Sequence, residues 1–343
     1  MEHVPGAELI ALDWGSSSCR AYLVGAQGRV LATRASARGV MVVTADAADR
    51  GVPPEQLFQE ELLALCHDWL AAAPALPVIA SGMVGSNQGW AEADYLELPV
   101  DLLRTAIPLT TARWSGGEVH IVPGLVDRGE LPDVMRGEET QILGTLLDAA
   151  ARGAVRAGEE CVVLPGTHTK WAHLSGSIIT GFHTAMAGEV YGLLKSRSIL
   201  SRLAEPAEQP RWAAFERGLD VALQSPAGVL GTVFSARSLV LAGRITGTDV
   251  QDYLSGLLVG SEVAGAVAAW LGGRRPPVVL CGEPDLRERY GRALARLDIP
   301  STSVSTNVTP LALHHIAQMS GLVSAGAGDH DTAETCPTAE VRA

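Results

Sequence analysis

The chain has 343 residues, 47% of them apolar and 19% charged, with a formal net charge of −12. That length supports two domains with a core each, and an acidic balance without a basic block argues against nucleic acid as a partner. Five scattered cysteines (Cys19, Cys66, Cys161, Cys281, Cys336) lack CxxC or Cys/His metal spacing, which fits buried neutral thiols in a reducing compartment better than disulfides or zinc. Residues 1–5 carry neither the basic nor the apolar region of a signal peptide, and no run approaches 18 uninterrupted apolar residues. A cytoplasmic protein with no membrane partner is therefore expected.

In chain order, the pattern predicts strands at 9–13, 19–24 and 29–35, then a helix near 55–72. That helix opens at Pro53-Pro54-Glu55 and carries Leu57, Phe58, Leu62, Leu65 and Leu70 at roughly helical spacing. A buried strand at 78–80 runs into the Gly-rich segment Ser81-Gly82-Met83-Val84-Gly85, and a strand at 118–122 ends in Pro123-Gly124. A helix over 138–152 closes the first half. After the polar stretch 152–160, three more strands precede a mainly helical region from 185 to 271. Next come a strand at 278–281, a helix at 285–297, a short strand at 301–304 and a helix at 310–320. Leu254, Leu257, Leu258 and Val263 read as core, and the run Leu286-Arg287-Glu288-Arg289-Tyr290 as a solvated helix face. From 324 on, the Gly/Asp/Thr/Pro-rich tail is expected to be mobile. The division expected is 1–156, 157–323 and the tail 324–343, with mixed α/β sheets in both halves.

One local pattern occurs twice. Residues 9–13 lead into Trp14-Gly15-Ser16-Ser17-Ser18 and a second strand; residues 161–165 lead into Gly166-Thr167-His168-Thr169 and another strand beginning with Lys170-Trp171. Repeats at domain spacing set architecture, and two Gly/hydroxyl turns could hold a polyphosphate between two halves. The chain has no GxxxxGK[ST], and these turns open strands rather than helices, unlike P-loop and Rossmann turns. Successive backbone N–H groups in a tight turn still form an anion-binding concavity. Asp13, at the end of the first strand, is the candidate for Mg²⁺ or its waters.

The chain resembles the 2-dehydro-3-deoxygalactonokinase family of the sugar kinase/actin/heat-shock ATPase superfamily. The resemblance rests on residues 13–22, Arg38-Gly39, residues 81–86 with Gly89-Trp90 and Glu92, Arg136-Gly137-Glu138-Glu139-Thr140-Gln141, and residues 164–171. It implies two duplicated actin-like (ribonuclease H-like) domains with ATP in the cleft between them. It also implies Mg²⁺-dependent transfer of the γ-phosphoryl group to the 6-hydroxyl of 2-dehydro-3-deoxy-D-galactonate in galactonate breakdown. Rival readings are an exopolyphosphatase-like phosphohydrolase on the same fold and a non-catalytic actin-like assembly protein.

Phosphoryl transfer needs a phosphate cradle, a positioned hydroxyl and usually a carboxylate base. Some related sugar kinases carry an Asp after the Gly-Thr-His of the second turn; here that residue is Thr169, followed by Lys170. The base is then sought in Glu138 or Glu139, with Glu138 preferred and Asp133 and Asp94 behind; the pair could instead only complement a helix dipole. Phosphate contacts are expected from Gly15, Ser16, Ser17, Ser18, Gly166, Thr167, His168, Thr169 and Lys170, and adenosine contacts near Gly282. Ala242-Gly243-Arg244 is a weaker possibility for the adenosine. The polar, aromatic segment 81–98 is the sugar-acid candidate, through Ser81, Gly82, Met83, Gln88, Trp90, Glu92 and Tyr95, with Asn87 nearby. Arg20, Arg38 and Arg136 are candidates for the substrate carboxylate. A homodimer is compatible with the sequence.

Overall fold

The computed structural model describes residues 5–153, 158–225, 227–304 and 307–324. The boundary expected at 156/157, residues 1–4, Cys336 and the tail beyond 324 lie outside the described residues.

The first half supplies β1 (Ala7–Trp14), β2 (Cys19–Gly25), β3 (Arg29–Ser36), α1 (Val40–Arg50), α2 (Pro54–Ala72) and β4 (Val78–Ser81). It continues with β5 (Tyr95–Glu97), β6 (Val100–Asp101), β7 (Thr110–Trp114), β8 (Gly117–Ile121), β9 (Gly124–Asp127), β10 (Asp133–Met135) and α3 (Glu138–Ala151). The second half begins with β11 (Glu159–Leu164), β12 (Thr169–Ser175) and β13 (Ile178–Ala185). Helices α4 (Ala187–Arg197), α5 (Trp212–Gln224), α6 (Gly228–Thr232), α7 (Ser235–Leu241) and α8 (Val250–Gly265) follow, then β14 (Val278–Leu280), α9 (Pro284–Ala295), β15 (Ser301–Ser303) and α10 (Thr309–Met319).

Two six-stranded sheets repeat one topology. The first has the order β3-β2-β1-β4-β8-β7, and the second β15-β14-β11-β12-β13-β6. In each, the central strand (β1 or β11) pairs antiparallel with the next strand in sequence and parallel with the strand on its other side. The outer pairs β2–β3 and β12–β13 are antiparallel, and β4–β8 and β14–β15 parallel. The duplication seen as two short motifs therefore extends through five strands on each side, the ribonuclease H-like arrangement of the actin-like fold.

Side-chain alternation at period two splits each central strand between two cores. Leu9 and Ala11 of β1 and Val162 and Leu164 of β11 share one buried cluster with Ile142 and Leu143 of α3 and Leu313 and Ile316 of α10. Ile10, Leu12 and Trp14 face the other way, onto Val43 of α1 and Phe58 and Leu62 of α2. Cys161 and Val163 pack with Phe215 of α5, Val263 of α8 and Tyr290 of α9. The layers run α1/α2, sheet, α3/α10, sheet, α5/α8/α9. The halves are also exchanged at their edges: β6 of the first half pairs with β13, and α10 of the second packs on β1 and β4.

Several elements depart from the sequence expectation. Helix α1, rich in valine at Val40-Met41-Val42-Val43, was not among the expected elements; Val40, Val43 and Ala47 are its buried residues and their spacing is helical. Strands β5, β6, β7, β9 and β10 were not expected; each is five residues or fewer, and β5 and β6 depend on partners distant in sequence, β9 and β13. The segment 286–290 is not a solvated face, because Arg289 and Tyr290 are buried. One stretch, Gly247–Trp270, is long enough and apolar enough (mean hydropathy 1.3) to cross a membrane, yet it is 56% buried and packs through α8 against α5.

Candidate active site

The first turn sits where β1 hands over to β2. Gly15 N donates to Ser18 O at 3.0 Å, closing the turn. The start of α1 lies directly beneath it: Val40 N donates to Gly15 O (3.0 Å) and Met41 N to Ser16 O (3.1 Å). Those carbonyls are spoken for from below, while Ser16 and Ser17 are exposed. A Cβ on Gly39 would lie 2.4 Å from Ser16 O, so the helix can approach this closely only with glycine there.

The second turn repeats the construction. Glu189 N, at the start of α4, donates to Thr167 O at 2.9 Å, and a Cβ on Gly188 would lie 2.0 Å from Gly166 O. Thr167 and His168 are exposed, and His168 Nε2 meets the Glu189 carboxylate. Gly282, between β14 and α9, lies against this turn, its virtual Cβ 3.2 Å from Pro165 O. The other two residues expected here point inward. Thr169 is fully buried and bonded to the Tyr290 hydroxyl at 2.9 Å. Lys170 is buried, its Nζ donating at 2.7 Å to both Val134 O and Thr184 Oγ1. Asp133 accepts from Thr184 N (2.6 Å) and Thr184 Oγ1 (2.7 Å), so it ties β10 to β13.

Asp13 ends β1 in register with Arg20 on β2 and Ser81 on β4. Burial raises its pKa, and the Arg20 charge opposes that. Beside it the Ser81 hydroxyl is buried with no hydrogen-bond partner. A carboxylate next to an orphaned hydroxyl is a hard oxygen donor pair and fits Mg²⁺ with its waters.

The chain leaves Ser81 through Gly82 (φ +99°), and Gly137 (φ +108°) at the start of α3 lies against Gly82. Both backbones need conformations that only glycine adopts readily, and together they bring the acidic pair to the end of β4. The two glutamates then differ. Glu139 is 2% exposed, accepting from its own Gly137 N (2.6 Å) and from Thr140 Oγ1 (3.0 Å). Burial, and next the charge of Glu138, push its pKa up to about 7. Glu138 is partly exposed and holds Arg136 N at 3.0 Å. Burial raises its pKa as well, while the Lys170 ammonium pulls it down.

The segment 81–98 is less open than its composition suggests. Trp90 is core, 5% exposed and packed edge-on to Trp14 and stacked on Phe58. Met83 packs against that same cluster. Asn87, Gln88, Glu92, Asp94 and Tyr95 are exposed. Of the three arginines, Arg38 bridges Asp46 (2.7 Å) and Glu61 (2.9 Å), joining α1 to α2. Arg20 reaches across to Glu283 at 3.6 Å, both largely exposed. Arg136 stacks on the Tyr95 ring (4.3 Å) and gives Nη2 to Ala93 O (2.7 Å), while its buried Nε and Nη1 have no partner.

Below the second turn lies a cavity of about 390 Å³ that the motifs did not reveal. Gly166 and Gly188 form its mouth, Tyr191, Leu258 and Val259 supply apolar wall, and Gln251, Ser255 and Arg289 supply polar groups. Arg289 is fixed by Asp252 (2.7 Å) and Asp285 (3.0 Å) over the Phe215 ring. The wall comes from one face each of α4, α8 and α9, too dispersed in sequence to form a motif; Ala242-Gly243-Arg244 does not contribute.

The duplicated fold with its two Gly/hydroxyl turns, the acidic pair at the start of α3 and the cavity beside the second turn fit a phosphotransferase of the sugar-kinase class. The sequence model of the family described as 2-keto-3-deoxy-galactonokinase matches residues 13–316, and the chain belongs to that family. A probable 2-dehydro-3-deoxygalactonokinase of Rhizobium meliloti (strain 1021) is 38% identical over 288 residues, 83% of this chain and 88% of the relative. The 2-dehydro-3-deoxygalactonokinase of Escherichia coli (strain K12) is 34% identical over 301 residues, 87% and 93% of the two chains. A crystal structure from Sinorhizobium meliloti, assigned to the same activity, superposes with a TM-score of 0.77 at 34% identity, covering 90% of this chain and 98% of that one. Family membership gives no support to the phosphohydrolase and assembly readings.

Proposed function

We propose that this protein transfers the γ-phosphoryl group of ATP to the 6-hydroxyl of 2-dehydro-3-deoxy-D-galactonate, with Glu138 as general base. The observation that carries this is the contrast within the acidic pair: Glu139 is sealed into its own helix start, and Glu138 is partly open, within the field of Lys170 and His168.

The exposed turns, with the residues Gly15, Ser16, Ser17 and Ser18 on one side and Gly166, Thr167 and His168 on the other, receive the phosphates through backbone N–H and hydroxyl donors. The 390 Å³ cavity beyond Gly166 receives the adenosine, with Gly282 packed against Pro165 of the same turn. Asp13 and Ser81 would hold Mg²⁺, which screens the phosphate charge when bound. The sugar acid lies against the exposed side of segment 81–98, with Gln88, Glu92 and Tyr95 toward its hydroxyls. Arg136 anchors its carboxylate, because Arg38 is committed to two helix carboxylates and Arg20 to Glu283. Glu138 accepts the proton of the 6-hydroxyl as its oxygen attacks; Lys170, fixed by Val134 and Thr184, offsets part of the rise that burial imposes on the pKa of that carboxylate. Thr169 and Lys170 act from behind the turn rather than on phosphate. The division into a sugar-acid half (1–156) and a nucleotide half (157–323) follows from the same reading. Closure of the halves excludes water, and with it wasteful ATP hydrolysis.

Coupled ADP release is the test. The purified protein is expected to turn over with 2-dehydro-3-deoxygalactonate, and Glu138→Gln to lose kcat by a factor of roughly 10²–10⁴. No ADP release with this or any related sugar acid refutes the substrate, and full activity in Glu138→Gln refutes the base.

A further inference from the structure

A buried chain of hydrogen bonds runs beneath the second turn, and the reaction above makes no use of it. Trp171 Nε1 on β12 donates to Glu262 Oε1 at 2.8 Å, and the Tyr290 hydroxyl on α9 donates to Glu262 Oε2 at 2.9 Å. The Tyr290 oxygen lies 2.9 Å from Thr169 Oγ1, which in turn lies 3.5 Å from Gly166 N. All four side chains are buried, with Glu262 the most accessible at 9%.

The direction of this chain is decided at Glu262. An ionised carboxylate can only accept hydrogen bonds. Tyr290 must therefore spend its one proton on Glu262, and its oxygen is left to accept from the Thr169 hydroxyl. The lone pairs of Thr169 are then free to take the Gly166 N–H. A carboxyl proton or an amide at position 262 would donate to Tyr290 and turn the chain round. Thr169 would then receive a donor from Tyr290, and its own proton would have no acceptor in the chain. Burial pushes the Glu262 pKa up to about 7, so above that pH the ordered direction holds. Gly166, at one end of the chain, and Tyr290, in its middle, also line the cavity, so the chain touches the space the ligand would fill at two points.

We propose that Glu262 is a positioning residue for the nucleotide: through Tyr290 and Thr169 it fixes the Gly166 end of the second phosphate turn in the form that receives ATP. This rests on the assignment of the cavity to the nucleotide. It assigns work to a glutamate in the last turn of α8, 96 residues beyond Gly166, which touches neither substrate.

The experiment measures ADP binding by calorimetry at pH 8 together with steady-state kinetics, on wild type, Glu262→Gln, Tyr290→Phe and the double variant. Each single variant is expected to weaken ADP binding and raise the KM for ATP about tenfold, the order of one hydrogen bond to a charged group. Expected kcat and sugar-acid KM stay within about twofold, and the double variant is no worse than the worse single, because all three break one chain. Unchanged ADP affinity in folded Glu262→Gln overturns the proposal. So does a parallel shift of kcat and both KM values accompanied by a lower melting temperature, the mark of a purely structural role. Tyr290→Phe reads the same chain should Glu262→Gln fail to fold. Absence of ADP binding by wild type refutes the nucleotide assignment of the cavity instead.

Discussion

At the residue scale, two adjacent glutamates illustrate how burial separates chemistry from structure. The folded pKa of Glu139 is raised to about 7 from 4.5, so its protonated form is the one the fold prefers. Its contribution to stability is complete below about 4.5 and is lost as pH rises through about 7. Urea unfolding at pH 5 and pH 8 should therefore show a smaller loss of stability in Glu139→Gln than in wild type; equal losses would mean the carboxyl is not held protonated. Arg136 makes the other residue-level case. Its stacking on Tyr95 and its bond to Ala93 O leave Nε and Nη1 without partners, and a lysine cannot reproduce a planar guanidinium. Arg136→Lys should raise the sugar-acid KM about tenfold while the KM for ATP barely moves. A rise in both would make Arg136 a scaffold residue. The four described cysteines are buried and free, and desolvation pushes the Cys66 and Cys161 thiols up to about 12. Neutral thiols of this kind are poor nucleophiles.

At the element scale, each Gly/hydroxyl turn is a strand–turn–strand with a helix start pressed against its underside. The first uses Gly39 and α1, the second Gly188 and α4. The helix amides occupy turn carbonyls from one side, which fixes the turn while Ser16, Ser17 and Thr167 stay exposed. A methyl group at 188 has nowhere to go, since the nearest atoms are the backbone of Gly166 and Thr167. Gly188→Ala should lower stability by about 1–3 kcal/mol and weaken ADP binding together. A urea midpoint that moves without any change in ADP affinity would separate the helix start from the turn's function. Helix α4 has no fully buried residue, and it is also held through Ala187, Tyr191 and Leu194 on Leu254 and Leu258 of α8.

At the scale of the whole molecule, the central layer of α3 and α10 joins the two sheets into one core. Leu313 of α10 is fully buried among residues of both β1 and β11. Leu313→Ala should therefore cost about 2–5 kcal/mol and loosen both sheets at once. Hydrogen exchange tests this: amides of β1 and β11 should lose protection in parallel. Loss confined to one sheet would show that the halves are energetically independent. The same layer implies that any closure of the cleft moves the outer parts of each half about a shared centre.

By itself the sequence carried the duplication, because β1 and β11 are central strands buried on both faces, and such strands read as plain apolar runs. It also carried the turns and the acidic pair, because glycine and clustered hydroxyl or carboxylate groups stand out against an apolar background. Tertiary structure alone decided which of these groups face the cleft. Trp90 and Thr169 have the chemistry of ligand-binding residues and are core; Arg289 and Tyr290 read as a solvated face and line the cavity. Lys170 is committed to Val134 and Thr184. Glu262, in an apolar helix, gave no signal at all. The physical reason is common to all six. A side chain's type is local, but its burial and its partners are set by strands and helices tens of residues away, and those contacts exist only once the sheets have closed on one another.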